Sequence, residues 1–252
     1  MEDLDVQLGA VRIHVQRWGD GSGPGILYWH GGGGGSEEAP LLAPALVAAD
    51  HTVHAVDAPG YGSSTALEPE GYAMPAIAEL ARDLVDRLDL IPVIWIGYSW
   101  GAAVGVHTAA RFPAAIRGLA LLDGGYLVAQ DDPEYNPDTD YEDEVAELRV
   151  RAQAGESWDA PHEVIGAAMV ASRNAPCVPV YPALRQTRIP VLLAHATKPR
   201  ELQPLRERAV DRFRAALPEA DVRAVPNATH GILQDNGPEV IRVLLDWLDG
   251  VV

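Results

Sequence analysis

The sequence predicts an α/β fold with a mostly parallel, doubly wound sheet of about eight strands. Three observations lead to this fold class. Short apolar runs alternate with longer amphipathic stretches over most of the 252 residues. Apolar residues make up 48% of the chain, which is enough for a sizeable core. Glycine-rich turns follow several of the apolar runs, which is where a parallel sheet carries its site.

The predicted strands change character along the chain. The first two alternate apolar and polar residues, which is typical of a half-buried antiparallel pair. The runs at residues 26–29, 93–96 and 116–122 are mostly apolar, which is typical of buried strands. The predicted strands are residues 6–8, 11–18, 26–29, 52–56, 93–96, 116–122, 189–194 and 222–225. The predicted helices are residues 37–49, 74–88, 102–110, 201–217 and 238–248.

The alternation of strands and helices stops after Gly125 and resumes at Ile189. The residues between them, 126–188, are rich in proline. Nine carboxylates lie between Asp131 and Glu147 without a Lys or Arg among them. We therefore predict one core domain, residues 1–125 and 189–252, with residues 126–188 inserted as a helical lid.

The composition of the chain restricts the kinds of binding partner that we expect. A formal net charge of −17 disfavours nucleic acid and anionic membranes, because both would be repelled. No apolar run approaches the roughly 20 residues that a membrane span needs, and the acidic N-terminus lacks a signal-peptide pattern. Cys177 is the only cysteine, so no intrachain disulfide can form. We expect a cytoplasmic protein that acts on a small molecule, and we leave a homodimer open.

Residues 97–101 are the stretch around which we expect the site to form. They read Gly-Tyr-Ser-Trp-Gly and connect a buried apolar run to a helical run rich in small residues. A Gly-x-Ser-x-Gly turn between strand and helix strains the serine backbone and holds its hydroxyl above the sheet. The next N–H lies at a helix N-terminus, where negative charge is stabilised. Ser99 is therefore the candidate nucleophile; an ordinary glycine-flanked turn is the alternative.

Three motifs follow the third, fourth and fifth predicted strands. They are His-Gly-Gly at residues 30–32, Asp-x-Pro-Gly-x-Gly-x-Ser at residues 57–64 and Gly-x-Ser-x-Gly at residues 97–101. With these motifs in this order, the chain resembles the α/β-hydrolase fold family over nearly all its length except the inserted segment. The resemblance implies a Ser-acid-His triad at the carboxyl ends of the strands.

The resemblance implies that His230 is the base, because it follows the last predicted strand and precedes the last predicted helix. His195, at the end of the seventh predicted strand, is the main rival. We expect His30 to support the glycine loop instead.

The position of the acidic residue of the triad differs in this chain from the commonest pattern of the family. Most relatives carry it after the seventh strand, but there this chain has no carboxylate before Glu201. Some relatives carry it after the sixth strand, which is where Asp123 lies. We predict Asp123 as the acid that orients His230. A turn Asp that bonds its own backbone is the alternative for Asp123, Glu201 is the alternative acid, and Asp57 is predicted to be a structural turn residue.

The resemblance also implies an oxyanion hole of two backbone N–H groups. One belongs to Trp100 and the other to Gly32, with Gly31 and Gly33 beside it against the substrate. Candidate pocket walls, which could equally pack the lid onto the body, are Tyr126, Leu127, Trp158, Ile165, Met169, Val170 and Tyr181, of which Tyr126, Trp158 and Met169 are the chosen candidates. The sequence contains no metal-binding or dinucleotide motif, so we expect no metal and no cofactor.

These features predict a serine hydrolase that cleaves a small ester, lactone or thioester through an acyl-enzyme. The alternatives are a ligand-binding member of the fold and a non-hydrolytic lyase or cyclase. Ser-Trp-Gly at residues 99–101 also resembles the elbow of prolyl aminopeptidases, but their His-Gly-Gly-Pro and their acid after the seventh strand are missing. Haloalkane dehalogenases and epoxide hydrolases use an Asp nucleophile where this chain has Ser99.

Overall fold

The computed structural model describes residues 1–126 and 140–251. The strands in these residues are β1 (Glu2–Leu8), β2 (Val11–Trp18), β3 (Ile26–Trp29), β4 (Val53–Val56), β5 (Val93–Tyr98), β6 (Ile116–Leu122), β7 (Val191–Ala196) and β8 (Asp221–Val225). They form one sheet in the order β1-β2-β4-β3-β5-β6-β7-β8. The pairs β1–β2 and β2–β4 are antiparallel, and all other neighbours are parallel. The predicted fold class is confirmed.

Helices cover both faces of the sheet. They are α1 (Ala43–Ala48), α2 (Met74–Arg87), α3 (Trp100–Arg111), α4 (Tyr141–Gln153), α5 (His162–Asn174), α6 (Tyr181–Thr187), α7 (Gln203–Ala216) and α8 (Ile232–Leu248). Side chains alternate along each strand, so Leu27 and Trp29 of β3 join a core with α2, α3 and α7. Ile26 and Tyr28 join a second core with α1 and α8 on the opposite face. Strands β3, β4 and β5 are buried along their whole length because both faces are covered.

Two predicted helices differ from the structure at their ends. The predicted helix 37–49 is wrong as one helix, since Ser36–Leu41 is a 3-10 helix and α1 starts at Ala43. Pro40 has no N–H to continue the ladder, which separates the two segments. The last helix begins at Ile232 rather than at residue 238 and bends at Asn236, close to Pro238.

The described part of the inserted segment is Tyr126 and residues 140–188, and it is largely helical. Helices α4 and α5 pack on each other, α5 also packs on α3, and α6 packs against α3 and α7. Leu127 and the carboxylates between residues 131 and 138 lie outside the described residues. The division into core and lid stays a prediction. In the described ranges, no helix combines the length and the apolar character that crossing a bilayer requires.

Candidate active site

Ser99 occupies a sharp turn between β5 and α3. Its backbone has φ 51° and ψ −112°, a strained conformation for a residue with a side chain. The flanking glycines make the turn sterically feasible. A Cβ on Gly97 would lie 2.3 Å from the carbonyl oxygen of Gly101, and one on Gly101 would lie 2.1 Å from that of Trp29. No side chain fits at either position, so the predicted Gly-x-Ser-x-Gly turn follows directly from packing.

Ser99, His230 and Asp123 form a continuous chain of hydrogen bonds. The Ser99 Oγ lies 2.8 Å from the Nε2 of His230, and the Nδ1 of His230 lies 2.8 Å from the Oδ2 of Asp123. An ionised carboxylate only accepts, so Nδ1 carries the hydrogen and Nε2 is free to accept from the serine hydroxyl. The three side chains therefore have the tautomer and the order that proton removal from Ser99 requires.

Asp123 follows β6 and is completely buried. Its Oδ1 accepts hydrogen bonds from the Ala196 N–H at 2.9 Å and from the Tyr126 hydroxyl at 2.8 Å. Burial alone raises the pKa of the Asp123 carboxyl, but the hydrogen bonds from His230, Ala196 and Tyr126 outweigh burial and lower the pKa below its ordinary value. The carboxylate is therefore ionised at neutral pH and held in one orientation.

The loop that carries His230 is fixed from two sides. The Tyr98 hydroxyl donates to the backbone carbonyl of His230 at 2.9 Å, and the two rings lie 5.4 Å apart. On the other side, the N–H and the hydroxyl of Thr229 both donate to Asp235. The His230 side chain is 51% exposed. The imidazole can therefore exchange a proton with solvent while its orientation is maintained.

The glycine loop after β3 lies against Ser99 and is supported by His30. The Ala58 N–H donates to the His30 Nε2 at 3.0 Å, and the His30 Nδ1–H donates to the Gly31 carbonyl at 2.6 Å. Burial lowers the pKa of His30 to about 4, so this buried imidazole is neutral. His30 thus joins the loops after β3 and β4, in agreement with its predicted supporting role.

The two predicted oxyanion donors lie on the segments that meet at Ser99. Trp100 is the first residue of α3, and a Cβ on Gly31, beside Gly32, would lie 3.2 Å from the Ser99 Cβ. Within the described chain, neither the Trp100 N–H nor the Gly32 N–H donates a hydrogen bond. Both donors are therefore available to an oxygen bound near Ser99.

A cavity of about 260 Å³ opens beside Ser99, His230 and Asp123. Tyr126 and Met169, two of the predicted pocket residues, line it, whereas Trp158 does not. Its ring packs instead over the glycine loop, where a Cβ on Gly33 would lie 2.8 Å from the indole. The remaining lining residues come from α3, α5 and the segments that follow β6 and α5: Trp100, Ala103, Gly124, Gly125, Ser172, Arg173, Pro176 and Cys177.

The rival candidates lie elsewhere. His195 is half-buried on β7 and bonds the Ala196 carbonyl at 3.2 Å. Glu201 is exposed in the 3-10 helix before α7. Asp57 accepts hydrogen bonds from the N–H groups of Ser36 and Ser63 and therefore fixes loops, as predicted.

Sequence reasoning missed two contributors to the site. Arg206 of α7 is 3% exposed, and its Nη2 lies 3.3 Å from the Asp123 Oδ2. Arginines are scattered through the sequence, so nothing in the pattern distinguished this one. Gly124 packs on the turn that carries Ser99, since a Cβ on Gly124 would lie 2.2 Å from the Ser99 carbonyl oxygen. The Gly-Gly pair after Asp123 was the available signal for it.

The family model of the alpha/beta hydrolase fold matches residues 24–163, more than half of the chain. The chain therefore belongs to the α/β-hydrolase fold family, as the motifs indicated.

Individual relatives are similar over shorter stretches. The chain is 30% identical to bifunctional epoxide hydrolase 2 of Mus musculus over 128 residues, which cover 50% of this chain and 22% of that protein. It is 35% identical to pyrrolizixenacetamide deacetylase of Xenorhabdus hominickii over 116 residues, 44% of this chain and 41% of that protein. The match thus spans less than half the length of either relative. The thioesterase domain from the curacin biosynthetic pathway has the same fold, with a TM-score of 0.76 at 17% identity, over 98% of this chain and 99% of that one.

Proposed function

We propose that this protein is a serine hydrolase that works by acyl transfer through Ser99. The observation that carries the proposal is the hydrogen-bond chain from the Ser99 Oγ through His230 to Asp123, with both bonds at 2.8 Å. A serine hydroxyl is a weak nucleophile until an adjacent base removes its proton, and this arrangement supplies the base and the group that orients it. The unused N–H groups of Gly32 and Trp100 supply the complementary charge stabilisation.

The proposed reaction has two halves. The Ser99 Oγ attacks the substrate carbonyl carbon while its proton passes to the His230 Nε2, and the carbonyl oxygen becomes an oxyanion facing Gly32 and Trp100. The intermediate collapses when His230 returns the proton to the leaving group, which leaves an acyl-enzyme. Water then attacks the acyl carbon with His230 again as base, and the acid is released. Asp123 remains ionised throughout and stabilises the imidazolium.

The substrate that we propose is a small ester, lactone or thioester. The cavity of about 260 Å³ lies just below the range of roughly 300–1,000 Å³ common for ligand pockets, which favours a short acyl group. Its apolar lining residues, Ala103, Met169 and Pro176, suit an aliphatic chain. One relative is a deacetylase by name, so an acetamide belongs among the substrates to be tested. We also propose that the protein is cytoplasmic and that its substrate is a small molecule.

Epoxide hydrolysis is a weaker candidate despite the similarity to bifunctional epoxide hydrolase 2. Enzymes of that kind use an Asp nucleophile, and this chain has Ser99 at the elbow. The complete chain of hydrogen bonds also favours hydrolysis over a binding protein or a lyase, because binding alone does not need an oriented base.

A fluorophosphonate probe tests the proposal directly. We expect the wild-type protein to form a stable adduct on Ser99, identified by mass spectrometry of the labelled peptide. The Ser99→Ala variant should form none, whereas Ser172→Ala, which removes another serine hydroxyl of the cavity, should still be labelled. Absence of an adduct on Ser99 in the folded wild-type protein would contradict acyl transfer.

A substrate panel then defines the bond that is cleaved. Aryl esters, lactones, thioesters and aryl acetamides of two to eight acyl carbons (roughly the chain lengths that a cavity this small admits) are compared by kcat/KM. Turnover that falls steeply with chain length would support the proposed small acyl group. Labelling of Ser99 without turnover of any member would favour the binding or lyase alternatives.

A further inference from the structure

Arg206 places a positive charge directly behind the acid of the triad. Its guanidinium Nη2 lies 3.3 Å from the Asp123 Oδ2, the same oxygen that accepts from His230 at 2.8 Å. The His230 Nδ1 and the Arg206 Nη2 are therefore no more than about 6 Å apart. Both side chains of the ion pair are shielded from water, with Asp123 0% and Arg206 3% exposed. Screening by solvent is weak at such a site.

The guanidinium is held in place from the backbone of the following loop. Arg206 Nη1 donates to the carbonyl oxygen of Lys198, which lies just after β7. The Ala196 N–H, at the end of the same strand, donates to the Asp123 Oδ1. Asp123 projects from β6, yet its charge and orientation are controlled by groups on and after β7. This is the region where most of the family carries the acid itself, and here it carries the partners of the acid.

Burial of the Arg206 guanidinium costs free energy of desolvation, which its contacts offset only in part. Within the described residues its Nε has no hydrogen-bond partner, so the guanidinium is incompletely satisfied. Buried ion pairs often contribute little net stability, since desolvation of both charges offsets their attraction. A function at the site accounts for the residue better than a structural role does.

We propose that Arg206 is a positioning residue for the reaction, whose charge keeps Asp123 ionised and oriented towards His230 and sets the acid limb of the pH profile of the reaction. This inference rests on the acyl-transfer function proposed above. The sign follows from electrostatics: a cation 3.3 Å from the Asp123 carboxylate favours the charged form of that carboxylate and disfavours proton uptake at the site. Without that cation, proton uptake at the site would occur at higher pH.

Other titratable groups also face this pair, and the test leaves their side chains in place. Tyr126 bonds Asp123 directly, while His195, Tyr98 and Asp235 approach from β7, β5 and α8. Arg173 of α5 lines the adjoining cavity. Because Tyr126 also forms a hydrogen bond with Arg206, the neutral variants lose contacts as well as charge, and Arg206→Lys, which keeps the charge, is needed to separate the two effects.

The test is the pH dependence of the second-order rate constant for fluorophosphonate labelling of Ser99. It needs no knowledge of the natural substrate. The variants are Arg206→Gln and Arg206→Met, which remove the charge, and Arg206→Lys, which keeps it. Arg208→Met is the matched control, because Arg208 is exposed on the same helix. Far-UV circular dichroism and thermal unfolding establish that each variant is folded.

We expect the acid limb of the profile to move about one pH unit upward in Arg206→Gln and Arg206→Met. Arg206→Lys keeps the charge, so its acid limb should lie close to the wild-type position. Arg208→Met should match the wild type. A merely structural arginine would lower the rate at every pH without moving the limb, and that result would overturn the inference. If the neutral variants do not fold, Arg206→Lys with both the rate and the acid limb of the wild type supports the inference. A rate lowered at every pH, or a limb shifted as far as one unit, contradicts it.

The two proposals fail in different ways. If the wild-type protein is not labelled on Ser99, acyl transfer itself is wrong. If the wild-type protein is labelled and the neutral variants share its acid limb, acyl transfer stands and the role of Arg206 does not.

Discussion

At the residue scale, Asp123 is the point where separate parts of the chain meet. Its carboxylate contacts His230 from the loop after β8, the Ala196 N–H at the end of β7 and Arg206 from α7. Its own backbone is in the left-handed region, at φ 41°, and its N–H donates to the Ala194 carbonyl. An Asp in this conformation is not a turn residue that bonds only its neighbours. The local geometry directs its side chain towards the imidazole.

Asp123→Asn should lower kcat/KM for 4-nitrophenyl acetate by about 10³- to 10⁴-fold, by analogy with the same change in a known triad. The amide would present an N–H to the His230 Nδ1, so the hydrogen would move to Nε2, which could no longer accept from Ser99. Glu201→Gln, the alternative acid, is the control and should retain the wild-type rate. Near-normal activity of Asp123→Asn would remove Asp123 from the mechanism.

At the scale of elements, the turn at residues 97–101, which carries Ser99, packs between β5, α3 and the loop after β6. The Trp95 indole donates to the Gly101 carbonyl at 3.1 Å, and the Trp29 and Trp95 rings stack 5.3 Å apart beneath it. The Trp100 ring packs against Tyr61 at 5.8 Å. Large aromatic side chains thus fill the space behind Ser99. The strained serine persists because its surroundings leave no room for relaxation.

Gly124→Ala tests the packing of the loop after β6 against the turn that carries Ser99. The added Cβ would lie 2.2 Å from the Ser99 carbonyl oxygen and 2.6 Å from the Ser99 Cα, so the backbone of the elbow must move. We expect a loss of about 1–3 kcal/mol in the free energy of unfolding and at least a ~10-fold slower labelling of Ser99. Urea unfolding and probe kinetics measure the two effects.

Gly237→Ala is the matched control for that change. Gly237 lies in α8, and no atom lies within 4 Å of an added Cβ. Alanine has a higher helix propensity than glycine, so this variant should be neutral or more stable by up to about 1 kcal/mol. Equal behaviour of the two alanine variants would contradict the packing argument.

At the scale of the whole molecule, the central strands of the sheet are covered on both faces and include a buried histidine. His54 of β4 is 5% exposed, and burial lowers its pKa to about 4. A histidine that is neutral in the folded protein but titrates near 6.5 when unfolded favours unfolding in acid. Its stabilising effect is complete above about pH 6.5 and is lost as the pH falls towards 4.

The free energy of unfolding of the wild-type protein relative to His54→Gln should therefore fall by about 3 kcal/mol between pH 7 and pH 4. The comparison of two proteins is necessary because other groups titrate in this range. His30 acts in the same direction, with its pKa lowered by burial, whereas burial raises the pKa of Glu37 to about 7 and acts in the opposite direction. Guanidinium unfolding at four pH values measures the difference. A difference independent of pH would contradict the prediction.

Most strands could be predicted to within two residues, because runs that are apolar on both faces allow few other structures. The strands 26–29 and 116–122 have the predicted bounds, and β1 is longer than predicted because its polar residues lie on the exposed edge. Helix ends were harder to predict. The 3-10 segment at Ser36–Leu41 and the break before α1 depend on the backbone hydrogen bonding around Pro40, which periodicity does not contain.

The sequence by itself determined the fold family and indicated Ser99 as the candidate nucleophile. Strand, glycine, serine, glycine and helix are adjacent in the chain, and the strain at Ser99 is a local consequence of their order. It also indicated His230 and Asp123, since chain order and strand ends restrict the candidates. Only the tertiary structure decided which groups surround Asp123, that Trp158 lies outside the cavity and that Arg206 faces the triad. Those contacts join residues from separate strands and helices, and their distances depend on packing that no local pattern records.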